Sequence, residues 1–134
     1  FVNIISDDNC ISNTQFNIDI YENSKVHIRQ YFLGSSNSKE GFINHRNEVS
    51  LKSKSSLTID KFQDLNHNFN FCNDFIDQEK ESEFIMNTFS ASGVIVRNNV
   101  TFQVITDYLH RAQFHQILFK YWFTLVNFPM ADPV

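Results

Sequence analysis

Residues 18–28 read IDIYENSKVHI, and residues 49–59 read VSLKSKSSLTI. Both open on an apolar-polar-apolar triplet, turn through a short polar run, and then resume the alternation. Ile18, Ile20, Val26 and Ile28 each recur at one constant offset as Val49, Leu51, Leu57 and Ile59, and the same offset carries Ser24 onto Ser55 and Tyr31 onto Phe62. Alternation with period 2 marks a strand that buries one face. Hairpin strands need not keep one fixed offset, whereas coils that bury their faces by stacking on each other do. A third pass is partial: Ser82, Phe84, Met86 and Phe89 follow Ser55, Leu57, Ile59 and Phe62 at a second, shorter offset. The chain therefore reads as an all-β solenoid whose corners vary in length.

Residues 1–5 are a β-prone run, closed by the polar cluster Ser6-Asp7-Asp8-Asn9. Phe16 begins the alternation that Ile18 and Ile20 continue. Residues 33–38 read as a loop and 41–46 as a short bridging strand, after which Val49 and Leu51 restart the pattern. Residues 66–71 extend, and the acidic run 74–83 reads as a loop or a short helical turn. Residues 88–104, TFSASGVIVRNNVTFQV, supply the next strand pair. They turn at Ser90-Ala91-Ser92-Gly93, and Arg97-Asn98-Asn99 is expected to form a polar corner, since Asn tolerates left-handed backbone there. From Tyr108 the character changes to an aromatic run, and Pro129 and Pro133 keep the end irregular. Two regions are expected: residues 1–107 as the solenoid core and 108–134 as a divergent aromatic-rich tail.

At 134 residues there is room for one domain, and a 42% hydrophobic share with fifteen Phe supports an apolar core. Net charge is -4 and no basic run exceeds two residues, which disfavours nucleic acid as a partner. Two cysteines, Cys10 and Cys72, are too few for a disulfide scaffold and favour a reducing, cytoplasmic setting. No leader-like segment or long apolar span argues for a membrane.

The chemistry-bearing residues form no catalytic constellation. Cys10 and Cys72 have no CxxC spacing, and inert thiols outweigh cluster ligands as a reading. His27, His45, His67, His110 and His115 lack metal-ligand spacing. Asp77, Glu79, Glu81 and Glu83 alternate and would share a strand face, so a paired-carboxylate glycosidase site is conceivable; a solvated loop is the plainer reading. Asn99-Val100-Thr101 matches a glycosylation acceptor, which without secretion is chance. Phe16, Phe62, Phe84, Phe89 and Phe102 are core candidates. No catalytic or cofactor-binding residue is assigned, and no metal ligands are named.

Four pieces in order resemble the SufB/SufD family. Ile20-Tyr21-Glu22-Asn23-Ser24-Lys25-Val26-His27-Ile28 is similar to its recurring strand-turn-strand unit. Residues 47–51 and 55–59, ending in Asp60-Lys61-Phe62-Gln63, are similar to its next coil, and residues 84–90 to the one after. Gly93-Val94-Ile95-Val96-Arg97-Asn98-Asn99 resembles the family's most recognisable phrase. The resemblance covers residues 16–104 and is closer to SufD than to SufB.

That resemblance implies a right-handed parallel β-helix acting as a non-catalytic scaffold subunit in cytoplasmic iron–sulfur cluster assembly. SufB-like and SufC-like subunits are its implied partners, the cluster is handled by the complex, and SufC hydrolyses ATP. The family's helical N-terminal region and its C-terminal part, with the cluster-associated histidine and cysteine positions, find no counterpart; nothing after Asp107 matches. The chain is thus expected to be a core fragment. The alternative from another class is a secreted carbohydrate-active or adhesive β-helix.

Overall fold

The computed structural model describes the backbone of residues 1–104 and 111–118 and the side chains of residues 1–103. Its strands are β1 (Val2–Ile5), β2 (Ile11–Ile20), β3 (Lys25–Gly34), β4 (Lys39–Leu51), β5 (Ser56–Asp64), β6 (His67–Gln78), β7 (Glu83–Ser92), β8 (Ile95–Val104) and β9 (Arg111–Leu118). Odd-numbered strands form a five-stranded sheet in the order β1-β3-β5-β7-β9. Even-numbered strands form a four-stranded sheet in the order β2-β4-β6-β8. Every pairing is parallel, so each coil lays one strand on each sheet and the coils stack as a parallel β-solenoid.

The sequence repeat is the strand register. Ile18 pairs with Val49 and Ile20 with Leu51, while Val26, Ile28 and Tyr31 pair with Leu57, Ile59 and Phe62. Leu57, Ile59 and Phe62 pair in turn with Phe84, Met86 and Phe89. Side chains at alternate positions point between the sheets, as the pleat requires. They sort into three bands along the stacking axis. Ile20, Val49, Leu51, Leu57, Ile59 and Phe84 anchor one apolar band. Ile5, Phe32, Ile43, Leu65 and Val96 anchor the other, and polar side chains fill the space between.

Two kinds of corner close the coils. Residues 21–24, 52–55 and 79–82 stack as a ladder. Each places its third residue in left-handed backbone, with φ of 60° at Asn23, 58° at Lys54 and 59° at Glu81. Asn23 N donates to Ser53 O (3.3 Å) and Lys54 N to Lys80 O (3.2 Å), so the corners bond to one another as strands do. The opposite corner is built on buried Asn68. Its Nδ2 donates to Leu65 O (2.8 Å) and Ser38 Oγ (2.8 Å), while its Oδ1 accepts from Gly41 N (2.9 Å). All three glycines crowd this corner: a Cβ on Gly34 or Gly41 would overlap Asn68, and one on Gly93 would press on Val96 and Leu65.

Several expectations change. Arg97-Asn98-Asn99 is no corner but the middle of β8; Asn98 points inward and bonds Gln63, so the strand continues through it. The turn of residues 88–104 falls later than expected, because β7 runs to Ser92. Residues 41–46 and the restart at Val49 are one strand of 13 residues, β4, and residues 33–34 belong to β3. The acidic run holds no helix: β6 continues to Gln78 and a ladder corner follows. Phe62 and Phe89 face outward, because strict alternation from Leu57 and Ile59 puts Lys61 and Gln63 inside instead. Strand β9 lies beyond residue 107, in the segment expected as a tail, and adds a parallel strand to β7 with Phe114 opposite Met86. Residues 119–134 and His110 lie outside the described residues.

Candidate functional site

The polar band holds the densest chemistry in the described chain. Lys61 on β5 and Asp74 on β6 belong to one coil and face each other across the interior, both fully buried, with Lys61 Nζ donating to Asp74 Oδ2. Asp74 Oδ1 accepts from Asn47 Nδ2 on the preceding coil at 2.6 Å. Because a carboxylate only accepts, this bond fixes which way the Asn47 amide lies. Asn47 then exchanges two bonds with the Gln30 amide, at 3.0 and 3.2 Å. Asn47 Oδ1, now an acceptor, takes His45 Nε2–H at 3.0 Å, which leaves His45 Nδ1 to accept from Thr14 Oγ1 at 2.7 Å. The chain of bonds thus runs from the first coil to the third.

A second node lies one position along. Gln63 and Asn98 exchange two amide bonds at 2.9 and 3.1 Å, and Ser90 Oγ donates to Gln63 Oε1 at 2.6 Å. Cys72 Sγ lies against this node, 3.8 Å from Gln63 Nε2 and 3.4 Å from Asn70 Oδ1. Asn70 Nδ2 has no hydrogen-bond partner among the described residues.

Burial, and for Lys61 its charged partner, set the ionisation of these groups. Burial pushes the Cys72 thiol up to about 11, despite the nearby ammonium of Lys61, so the sulfur stays protonated near neutral pH. Burial also drives His45 down to about 4, reinforced by Lys61, so the imidazole is neutral inside a cage of Phe1, Phe16 and Phe32. Burial works against the Lys61 ammonium, but Asp74 more than offsets it and the pKa stands above the ordinary lysine value.

The residues singled out in the sequence scatter. Cys72 is inside, whereas Cys10 is half-buried at a corner with its Sγ 3.1 Å from Asp7 O; both are free thiols. His27 lies on the outer face, 2.6 Å from Asp60 Oδ2, and His67 is exposed at the start of β6. His115 belongs to β9, and its side chain is not among those described. Asp77, Glu79, Glu81 and Glu83 do not share a face: they spread over β6, a corner and β7. Glu79 pairs with Lys52 at 3.0 Å and Glu81 with Lys54 at 3.8 Å, so no carboxylate pair is poised for glycosidic chemistry. Among the described residues no group of three or more His, Cys, Asp or Glu could hold a metal ion.

The sequence reading missed the band itself. Lys61, Asp74, Gln30 and Asn47 do carry a signal, since each stands at an inward position of its alternation. Outside, on the five-stranded sheet, Tyr31, Phe62 and Phe89 stack in register beside Arg29, Asp60 and Asn87, around a depression of about 400 Å³. Phe62 and Phe89 lie 5.1 Å apart and nearly parallel, so they face each other and turn their edges to solvent.

The family model described as SUF system FeS cluster assembly, SufBD core domain, matches residues 3–119. No curated protein and no solved structure matches the chain. The matched span takes in every described strand but the first residue of β1, and it extends past the 16–104 span of the sequence resemblance through β9.

Proposed function

The chain belongs to the SufB/SufD core-domain family of iron–sulfur cluster assembly proteins, and on that premise we propose that it is the SufD-type scaffold subunit of a cytoplasmic SufBCD-like complex. The observation that carries a place in cluster assembly is the match of the family model to residues 3–119, nearly the whole described solenoid, and the choice of SufD over SufB rests on the sequence resemblance alone. The interior chemistry is consistent with a scaffold. A cysteine acts as nucleophile or cluster ligand in its thiolate form, and Cys72 is held as a buried thiol well above the ordinary range. Lys61 is paired with Asp74, Asp74 also accepts from Asn47, and Gln63 is bonded to Asn98 and Ser90, so these groups are engaged inside the solenoid. On this reading the protein acts through its surfaces, holding a SufB-like partner and, through the complex, a SufC-like ATPase. The iron–sulfur cluster is cargo of the assembly. No helix among the described residues is long and apolar enough to cross a membrane.

The test is co-expression of the full-length gene, tagged, with the SufB-like and SufC-like genes of the same genome. The expected result is a stable complex of all three that assembles cluster from iron and sulfide and loses that ability when this subunit is omitted. Recovery of the tagged protein without either partner would overturn the reading. Cluster assembly by the other two alone at an unchanged rate would do the same.

A further inference from the structure

We propose that the polar band is a register lock, selecting one alignment of the coils while adding little net stability. Inward positions recur at every second residue, so a strand that slides by two residues keeps all its apolar side chains inside. Val49, Leu51, Leu57 and Ile59 are aliphatic and similar in size, so that end of the interior tolerates such a slide. Corner length does not forbid it either. The stretch of chain between register partners shortens from Gln30 and Lys61 to Gln63 and Ser90, and again to Cys72 and Asn98, so the coils close over more than one length.

Asp74 does forbid it. Its two oxygens are taken by Lys61 across the interior and by Asn47 on the neighbouring coil. A two-residue slide of β6 carries the carboxylate about 6.6 Å along the strand and strands both buried charges. Gln63 and Asn98 repeat the logic without charge, because their reciprocal amide bonds exist in one alignment only. Replacing a buried, satisfied ion pair by apolar groups is often neutral for stability, which is why the pair's value lies in alignment. The rival pin is the Asn68 corner on the same strand.

Cross-linking separates the two. In a Cys10→Ser background, Ser50→Cys with Asp77→Cys places thiols on register partners of β4 and β6. Ser50→Cys with Phe75→Cys is two residues out of register, at a Cα separation of about 8 Å that a disulfide does not span. With the lock intact, mild oxidation closes only the first pair. With Lys61→Met and Asp74→Leu added, Asn68 untouched, the second pair is expected to close at least about tenfold faster, with β-sheet circular dichroism and cooperative unfolding retained. The neutral variant Gln63→Leu with Asn98→Leu is read the same way on β6 and β8. Asn73→Cys with Asn99→Cys is the in-register pair, and Asn73→Cys with Arg97→Cys the shifted one. Exclusive in-register closure in both folded variants overturns the lock and leaves alignment to the corners. Failure of the Lys61→Met/Asp74→Leu variant to fold also overturns it, since the pair would then be required for stability itself.

Discussion

Cys72 shows how position rather than residue type settles chemistry. The two cysteines look alike in the sequence, and neither has a neighbour at a telling spacing. Folding gives Cys10 a corner with partial exposure and gives Cys72 an interior site where burial raises its pKa from 9.0 to about 11. At pH 8 that shift alone lowers the thiolate fraction roughly a hundredfold, before any barrier to reagent entry. Iodoacetamide on the native protein, read by peptide mass spectrometry, is therefore expected to label Cys10 at least about a hundredfold faster than Cys72. Equal labelling would mean that the interior opens readily or that the thiol is activated. The linkage has a definite sign: the folded state keeps a proton that the unfolded thiol releases, so this group weakens the fold as pH rises above 9.0. The sequence favoured inert thiols, but which of the two would be buried was not legible in it. Burial of a thiol depends on what the neighbouring coils place around it. Lys61 and Asn98 were legible in principle, because each keeps step with an alternation: Leu57, Ile59, Lys61 and Gln63 on one strand, Val96, Asn98 and Val100 on another. Polarity argued for the outside, parity for the inside, and parity won because each side chain found a partner.

The strands and corners differ in how much of them the sequence shows. Strands were legible wherever a turn of polar residues separated two alternations, and the two constant offsets, from Leu57 back to Val26 and on to Phe84, are the register itself. Strand ends were less so. Arg97-Asn98-Asn99 resembles a corner by composition, yet the chain turns at Gly93-Val94, where φ of 142° at Gly93 suits no L side chain well. Gly34 carries a different constraint: the loop composition of residues 33–38 marks the turn but not the crowding at this strand end. A Cβ there would stand 2.2 Å from Leu65 O and 2.5 Å from Asn68 Nδ2, both already bonded to each other. The obstacle is backbone, so it cannot swing away, and yielding would break the Asn68 corner. Gly34→Ala is expected to lower the unfolding free energy by about 3 kcal/mol in urea denaturation. Thr58→Ala, on the outer face of β5, is expected to stay within about 0.5 kcal/mol. A Gly34→Ala loss no larger than the Thr58→Ala loss would show that the corner relaxes freely.

For the whole molecule, the consequence of stacking is an end. In the described structure β1 and β2 form the outermost coil, and neither has a strand on its far side. Val2, Ile4 and Ile11 are 56, 59 and 69% exposed there, and the inward residues Thr14, Phe16 and Ile18 are only half-buried. Proteins commonly blunt such an edge with lysine, proline or a bulge. The ten residues of β2 contain no lysine or proline, and their pairing with β4 runs without a register shift. Among the described residues nothing pairs with this edge, so it is open to any strand that meets it. The apparent mass of the 134-residue chain by light scattering is therefore expected to rise with concentration across the micromolar range. The route can be isolated with Asn13→Lys and Asn17→Lys, two exposed, outward positions of β2 that leave the interior bands untouched. Those charges are expected to suppress the association while leaving the unfolding midpoint within about 0.5 kcal/mol of the parent. A parent chain that stays monomeric throughout would refute the edge as a liability. Association that persists undiminished in the double-lysine variant would place the contact elsewhere, with the aromatic rows of the five-stranded sheet the next surface to alter.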